Sequence, residues 1–281
     1  MEIRRKPHWL QKKVAPGTHA EMERLLGGLK LNTVCREAMC PNISECFRQK
    51  QATFLIMGAV CTRQCTFCNV TKERPLALDA AEPERVAEAV ARLCLRHVVV
   101  TSPTRDDLAD GGAAHYAATV MAIRAAVPQV RIELLVPDFL GSRSSLTTVL
   151  AAGPDILGHN LETIPRLYSI RAGADYRRSL DLLAAAHELA PGIPTKSGLM
   201  LGLGETEAEV RAVLADLRAI GCSYLSIGQY LAPSRHHLPV VEYIHPQQFD
   251  LLKQAALDLG FAHVESGPYV RSSYLAEQYG K

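Results

Sequence analysis

The sequence feature that most constrains this chain is a group of three cysteines within eight residues, Cys61, Cys65 and Cys68. It directly follows the apolar run 52–57, which is typical of a buried β-strand. Three thiolates in the spacing CxxxCxxC can hold one iron–sulfur cluster from a single loop, although such clusters normally have four cysteine ligands. Because the nearby sequence supplies no fourth cysteine, one iron would keep an open coordination position, which is typical of a catalytic metal site.

The alternative for these cysteines is a zinc site that a distant fourth ligand completes. Zinc ligands usually come as two closely spaced pairs, so the spacing favours iron–sulfur binding but leaves zinc open. Disulfides are not expected, because the first residues contain no apolar export segment and the cytoplasm is reducing. The sequence therefore predicts a cytoplasmic, metal-binding protein.

Another three cysteines, Cys35, Cys40 and Cys46, lie upstream and form the first cysteine group in the chain. They also lack a nearby fourth cysteine. The two groups could share ligands around one metal ion, but six thiolates exceed what one tetrahedral ion needs. We therefore predict two separate iron–sulfur clusters. The remaining cysteines are predicted to be structural, Cys94 on the apolar core face of a helix and Cys222 as an inert residue before a strand.

From residue 51 onward, β-rich runs alternate with amphipathic helices six times, which predicts a parallel sheet with right-handed crossovers. Six units rather than eight indicate an α/β fold, a partial (β/α)6 TIM-like barrel that is open on one side. The predicted strands are 53–57, 97–101, 131–136, 155–158, 195–201 and 224–230. The predicted helices are 83–95, 113–127, 144–152, 175–189, 206–220 and 246–259, with a capping box at the start of the fifth.

We divide the chain into an N-terminal extension, 1–50, the barrel, 51–265, and a C-terminal segment, 266–281. The net charge of +2 is too small to indicate a nucleic-acid partner, and no apolar run reaches the length of about 20 residues that spans a membrane. Barrels of this type place their chemistry at the carboxyl ends of the strands, where this sequence has polar residues such as Asn160 and Glu162. These two side chains could bind ribose hydroxyls or cap a turn, and the sequence leaves both open.

The cysteine loop, with Phe67 before its last cysteine, resembles that of the radical S-adenosylmethionine enzymes. In that family the open iron binds the amino and carboxylate groups of S-adenosylmethionine, and an electron from the cluster generates a radical that removes hydrogen from an unactivated carbon. The resemblance implies that Phe67 packs near the adenine, while the protein supplies position and excludes water.

Over nearly its whole length, from Arg5 to the C-terminal end, the chain is identified as similar to the lipoyl synthases. The most specific motifs are the two cysteine groups and Arg-Ser-Ser-Tyr at 271–274. Further motifs are His-Asn-Leu-Glu-Thr at 159–163, Arg-Ala-Gly-Ala-Asp-Tyr at 171–176, Lys-Ser-Gly-Leu-Met at 196–200 and Gly-Gln-Tyr at 228–230. Phe47, Thr66 and Asn69 stand where the family usually has tryptophan, proline and aspartate, and none of these departures removes a ligand.

The resemblance implies a role for each group of cysteines. Cys61, Cys65 and Cys68 would hold the four-iron, four-sulfur (4Fe–4S) cluster that cleaves S-adenosylmethionine. The upstream cysteines would hold an auxiliary 4Fe–4S cluster, with Ser273 as its fourth ligand, so that both extensions bind a cluster. The residues implied in binding S-adenosylmethionine are Phe67, Thr101, Ser102, Asn160, Glu162, Arg171 and Met200.

The implied reaction is a sulfurtransferase reaction that inserts sulfur at carbons 6 and 8 of an octanoyl chain, with the auxiliary cluster as sulfur donor. The implied partners are an octanoylated lipoyl carrier protein or domain and a reductant such as ferredoxin or flavodoxin. Arg235, His236 and His237 form a candidate contact for an acidic carrier surface.

Two rival functions were weighed against this one. A biotin-synthase-like sulfur inserter or a methylthiotransferase shares the chemistry, but the motifs around the first cysteine group and the Arg-Ser-Ser-Tyr segment argue against both. An iron–sulfur carrier or electron-transfer protein would not need polar, glycine-rich residues at the ends of five strands.

Overall fold

In a computed structural model of the protein, the described residues are 6–11, 20–49 and 51–279, so that Arg5 lies outside them. Eight strands in these ranges form one sheet in sequence order. The strands are β1 Asn32–Thr33, β2 Thr53–Leu55, β3 His97–Thr101, β4 Arg131–Leu135, β5 Ile156–Gly158, β6 Thr195–Leu201, β7 Tyr224–Gln229 and β8 His263–Gly267. The α-helices are α1 Ala20–Gly28, α2 Val34–Glu37, α3 Ile43–Arg48, α4 Glu82–Arg92, α5 Ala113–Ala126, α6 Arg143–Ala151, α7 Tyr176–Leu189, α8 Glu207–Ala219 and α9 Pro246–Asp258.

The predicted α/β partial barrel is confirmed. The six predicted strands correspond to β2 to β7, all parallel, and the six predicted helices correspond to α4 to α9. Thr206 and Glu209 form the predicted capping box at the start of α8. One apolar cluster packs β2, β3 and β4 against α4, α5 and α6, and a second packs β6, β7 and β8 against α8 and α9.

The predicted number of strands is wrong. β8 pairs parallel with β7 at one edge, and the short β1 pairs antiparallel with β2 at the other edge. β8 escaped prediction because Val264 is its only buried residue, so the strand lacks the apolar run of its neighbours. It also crosses residue 265, where we place the end of the barrel, and the division into three segments stays a prediction.

The prediction that Cys94 belongs to the core is also wrong. Cys94 is exposed and has a φ angle of 53°, in the left-handed region. It lies just beyond α4, where the N–H of Leu95 donates to the carbonyl of Val90 and closes the helix end. The left-handed turn therefore ends the helical periodicity before Cys94. Cys222 is buried, and burial raises its pKa to about 12, in agreement with its predicted inertness.

Within the described residues, no helix has the length and apolar character needed to cross a membrane.

Candidate active site

The loop that carries Cys61, Cys65 and Cys68 follows the carboxyl end of β2, as predicted. Its two ends are joined because the N–H of Cys61 donates to the carbonyl of Thr71 at 2.8 Å. Further along the loop, the N–H of Arg63 donates to the sulfur of Cys61 at 3.4 Å. The chain therefore folds the three cysteines back on one another at the rim of the barrel.

Arg63, between the first two cysteines of the loop, anchors the loop through hydrogen bonds to two carboxylates. Its guanidinium donates to both carboxylate oxygens of Asp106, at 2.8 and 3.0 Å, and to both of Asp138, at 3.0 and 2.6 Å. Asp138 also accepts from Arg178 at 2.8 Å. Burial alone would raise the pKa of Asp138, but Arg63 and Arg178 hold it well below its usual range. Sequence reasoning missed this network, although a buried arginine between metal-binding cysteines calls for acidic partners.

The thiols of the loop are suited to bind a cationic cluster. Burial, together with the neighbouring thiols of Cys65 and Cys61, raises the pKa of Cys68 to about 11. Burial also raises the pKa of Cys65, against a lowering effect of Arg171. A positively charged group such as iron would favour the thiolate forms of these two buried side chains. In the part of the chain that the structure describes, no three Cys, His, Asp or Glu side chains gather closely enough for a single metal ion.

Asn160 and Glu162 lie beside this loop, after β5. Asn160 donates to the carboxylate of Glu162 at 3.0 Å, and Glu162 has a φ angle of 66°, which is unusual for a residue other than glycine. Burial raises the pKa of Glu162, whereas Arg171 lowers it. The N–H of Met200 donates to the carbonyl of Glu162 at 2.8 Å, which brings β6 to the same place.

Arg171 is held by a chain of hydrogen bonds that runs into the protein. It donates to the hydroxyl of Tyr168, which donates to Ser179 at 2.9 Å, and Ser179 lies 3.0 Å from Nε2 of His159. Burial and the charge of Arg171 lower the pKa of His159 to about 4. The Nε of Arg171 is buried and has no hydrogen-bond partner among the described residues. An unpaired buried donor of this kind calls for an explanation, because buried polar groups are nearly always hydrogen-bonded.

Two other predicted contacts of S-adenosylmethionine, Thr101 and Ser102, are already hydrogen-bonded within the protein. Thr101 donates to the carbonyl of Leu135 at 2.8 Å. Ser102 donates to the carbonyl of Pro103 at 2.7 Å and accepts from Tyr116 at 2.9 Å. Phe67 is half-buried in the cysteine loop.

Cys35, Cys40 and Cys46 border a single cavity of about 220 Å³, together with Ser273. Cys35 lies in α2, Cys46 lies in α3, and the N–H of Cys40 donates to the carbonyl of Cys35 at 3.0 Å in the turn between them. Burial raises the pKa of Cys35 to about 11. Three thiols and a hydroxyl around one cavity match the donor set of a second cluster.

This cavity, which we call the auxiliary cavity, lies away from the rim. Its wall includes Thr53 at the start of β2 and His97 at the start of β3, so it borders the amino ends of these strands. The expectation that the functional residues lie at the carboxyl ends therefore holds for the cysteine loop and not for the first cysteine group. That group belongs to the N-terminal extension and follows β1, the strand at the edge of the sheet.

The C-terminal segment contacts Asn160, beside the cysteine loop, and lines the auxiliary cavity. Ser272 donates to Asn160 at 3.0 Å, whereas Ser273 accepts from Thr53 at 2.7 Å. Burial lowers the pKa of Arg271, whereas Cys40 at one site and Glu162 at the other raise it. Consecutive residues of the Arg-Ser-Ser-Tyr motif thus face the two sites, an arrangement that the sequence did not reveal.

β7 makes room for this segment at Gly228. A Cβ atom added there would lie 2.1 Å from the carbonyl oxygen of Val270, closer than any side chain allows. The two cysteine-bearing loops also touch, since Asn69 donates to the carbonyl of Glu37 at 2.8 Å.

A model of the Radical SAM superfamily matches residues 55–217. Solved structures with a similar fold include methylornithine synthase, with a TM-score of 0.57 and 14% identity over 75% of this chain and 69% of that one. Another is Streptococcus suis SuiB bound to the precursor peptide SuiA, with a TM-score of 0.57 and 12% identity over 76% of this chain and 48% of that one. The fold and the family match define a radical S-adenosylmethionine enzyme, whose cofactors are a 4Fe–4S cluster and S-adenosylmethionine. A family that uses an iron–sulfur cluster argues against the zinc alternative for Cys61, Cys65 and Cys68.

Curated relatives match the chain over its full length. The lipoyl synthase of Geotalea daltonii is 69% identical over 100% of this chain and 95% of its own length. That of Trichlorobacter lovleyi is 69% identical over 99% and 100%, and that of Caldicellulosiruptor saccharolyticus is 53% identical over 99% and 98%. The chain belongs to the lipoyl synthase family. The predicted family is confirmed, and both rival functions are set aside.

Proposed function

We propose that this protein inserts two sulfur atoms, at carbons 6 and 8, into an octanoyl chain carried on a lysine of a lipoyl carrier protein. The observation that carries this proposal is the C-terminal segment, which contacts Asn160 beside one cysteine group and forms a wall of the cavity at the other. A sulfur-inserting enzyme needs hydrogen removal and sulfur delivery at one substrate, so its two sites must be held in a fixed relation.

At the rim of the barrel, Cys61, Cys65 and Cys68 hold the catalytic 4Fe–4S cluster. With S-adenosylmethionine, the cluster supplies the radical chemistry that removes hydrogen from an unactivated carbon. Arg171 binds the carboxylate of S-adenosylmethionine through its free Nε–H, because a guanidinium suits a carboxylate and this donor is otherwise unpaired. Phe67, Thr101, Ser102, Asn160, Glu162 and Met200 complete the binding site as implied by the family resemblance.

At the auxiliary cavity, Cys35, Cys40, Cys46 and Ser273 hold an auxiliary 4Fe–4S cluster that donates the sulfur. Thr53 donates to the oxygen of Ser273, and this hydrogen bond favours the ionised hydroxyl that binds iron. A hard oxygen ligand matches iron less well than soft thiolates do, so Ser273 would be the most easily displaced of the four ligands. The three thiolates would hold the cluster, which would supply the sulfur.

The partners follow from this chemistry. The substrate is an octanoylated lipoyl carrier protein or domain, and an electron carrier such as ferredoxin or flavodoxin reduces the catalytic cluster in the cytoplasm. The loop after β7, with Arg235 and His236 exposed, lies next to the cysteine loop, because the N–H of Leu238 donates to the carbonyl of Thr66 at 3.0 Å. An acidic carrier surface that docks on this loop would bring its lysyl arm to the catalytic rim.

Iron and sulfide analysis tests the two-cluster assignment. We expect about eight irons per chain after anaerobic reconstitution, and about four when either cysteine group is changed to alanine. Cys222→Ala, which removes a buried thiol outside both groups, should keep the full iron content. Four irons in the unchanged protein, or a loss on Cys222→Ala equal to that of a group variant, would contradict the assignment.

Turnover of an octanoyl-lysyl peptide tests the reaction. Ser273→Ala should still cleave S-adenosylmethionine under dithionite but form little dithiolated product. Normal product formation by this variant would remove Ser273 from the proposed ligand set.

A further inference from the structure

Tyr279, in the C-terminal segment, is a large aromatic side chain that is fully buried. Its ring packs against Tyr224 and His263, with centroids 5.5 and 4.5 Å apart. These two residues begin β7 and β8, so the ring lies at the amino ends of the strands. None of the proposed catalytic steps uses this residue.

A buried ion pair lies against the Tyr279 ring. The ammonium of Lys196 is 3.6 Å from the ring centroid, in a cation–π contact, and 2.8 Å from the carboxylate of Glu133. Lys196 and Glu133 are each 1% exposed, and the other oxygen of Glu133 is 3.2 Å from His97. Although burial would raise the pKa of Glu133, Lys196 and His97 hold it below its usual range. Burial lowers the pKa of Lys196, whereas the facing carboxylate of Glu133 raises it, and the nitrogen paired in this way meets the negative face of the ring.

Hydrogen bonds from the backbone and the hydroxyl of Tyr279 also hold this residue in place. Its carbonyl accepts from Arg131 at 2.6 Å, and its hydroxyl donates to the carbonyl of Leu225 at the longer distance of 3.3 Å. Two consecutive turns connect Tyr279 to the auxiliary cavity. The N–H of Tyr279 donates to the carbonyl of Ala276, and the N–H of Ala276 donates to the carbonyl of Ser273. A displacement of the ring is thus transmitted to Ser273.

We infer that Tyr279 is a positioning residue for sulfur insertion: its ring, seated on the Lys196–Glu133 pair, anchors the C-terminal segment and keeps Ser273 at the auxiliary cavity. This inference rests on the proposed role of Ser273 as a ligand. A fixed tether would keep the Ser273 oxygen near the site that it fills, and so would give it the high local concentration that binding a metal requires.

The ring face, rather than its hydroxyl, carries the anchoring. Tyr279→Phe keeps the ring on Lys196 and loses one long hydrogen bond, so it is the matched control. Tyr279→Leu fills much of the same space but offers no ring to the ammonium. A 3,4,5-trifluorophenylalanine at this position keeps the shape of the ring and removes its negative face.

The test measures iron release to a ferrous chelator from full-length chains in which one cysteine group has been changed to alanine. When only Cys35, Cys40 and Cys46 remain, Tyr279→Leu and the trifluorinated ring should release iron roughly 2- to 30-fold faster, the range expected for loss of a cation–π contact. Tyr279→Phe should behave as the unchanged chain does. When only the catalytic group remains, all variants should release iron at the same rate.

Each result decides the inference. Unchanged release from Tyr279→Leu, with faster release from Ser273→Ala, would overturn the anchor and leave the ligand proposal intact. Unchanged release from Ser273→Ala would instead remove the proposed ligand itself. Faster release in both backgrounds would mean that Tyr279 only supports the fold, which also overturns the inference. If Tyr279→Leu does not fold, the trifluorinated ring decides alone.

A second measurement does not depend on a bound cluster. In the metal-free chain, carboxypeptidase should remove the C-terminal residues faster from Tyr279→Leu than from Tyr279→Phe, because an unanchored segment opens more often. Equal rates for the two variants would contradict the anchor.

Discussion

Replacing Arg63 by methionine tests whether the ion pairs behind the cysteine loop hold that loop in place. The side chain of Arg63 is 6% exposed and that of its partner Asp138 is 0% exposed. Removing one member of a buried ion pair costs roughly 3–5 kcal/mol, because the other charge stays buried. Asp138 keeps its bond to Arg178, at 2.8 Å, so we expect a loss at the lower end, about 3 kcal/mol.

Arg63→Lys separates charge from geometry. Lysine keeps the positive charge, but its ammonium cannot form paired bonds to two carboxylates at once, so we expect a smaller loss of about 1–2 kcal/mol. The assay is urea unfolding of the metal-free protein, followed by circular dichroism under reducing conditions. Arg211→Met is the control, since its partner Glu207 is exposed and the free energy of unfolding should barely change.

The same variants should also affect metal binding at one site only. Arg63→Met should lower the iron held by the catalytic cysteine group, whose loop it fixes, and leave the auxiliary iron unchanged. The reasoning is refuted if Arg63→Met lowers the free energy of unfolding no more than Arg211→Met does, since a buried network would then be no stronger than an exposed pair.

Three further predictions concern other parts of the structure. Gly228→Ala should displace the carbonyl of Val270 and lower the auxiliary iron content without affecting the catalytic iron, as measured in the single-group variants. As the pH is lowered from about 6.5 to about 4, the free energy of unfolding should fall, because the unfolded chain protonates His159 and the folded chain does not; His159→Gln should flatten this slope in urea titrations at each pH. Cys94→Gly should raise the free energy of unfolding by about 0.5–1 kcal/mol, because glycine adopts the left-handed φ at this helix end without strain, and thermal unfolding of the metal-free protein would show no gain if this is wrong.

The elements that the sequence predicted are those whose cause is local. β3 and β6 are runs of buried residues and α8 begins with a capping box, so their bounds agree closely with the structure. The cysteines were assigned to metal binding for the same reason, because the spacing of thiolates within one loop is a local feature of the sequence. The core position predicted for Cys94 was wrong because this residue lies in the turn that ends α4. The apolar face of the helix gives no sign of that turn.

What the sequence did not reveal depends on residues far apart in the chain. Arg63 and Asp138 are 75 residues apart, and nothing near either residue identifies the other. Thr53 and Ser273 are 220 residues apart, and most of the barrel lies between them in the sequence. The family resemblance named Ser273, whereas its donor partner, the auxiliary cavity at the amino ends of the strands and the burial of Tyr279 required the structure.

The pairing of Thr53 with Ser273 also sets an order of events during biosynthesis. Cys35, Cys40 and Cys46 are synthesised long before the segment that closes their cavity. The auxiliary cavity therefore stays open until that segment has been made, and until then its thiols are exposed to oxidants. A chain that terminates before Ser273 would still contain the cysteine loop at the rim while lacking this wall of the cavity.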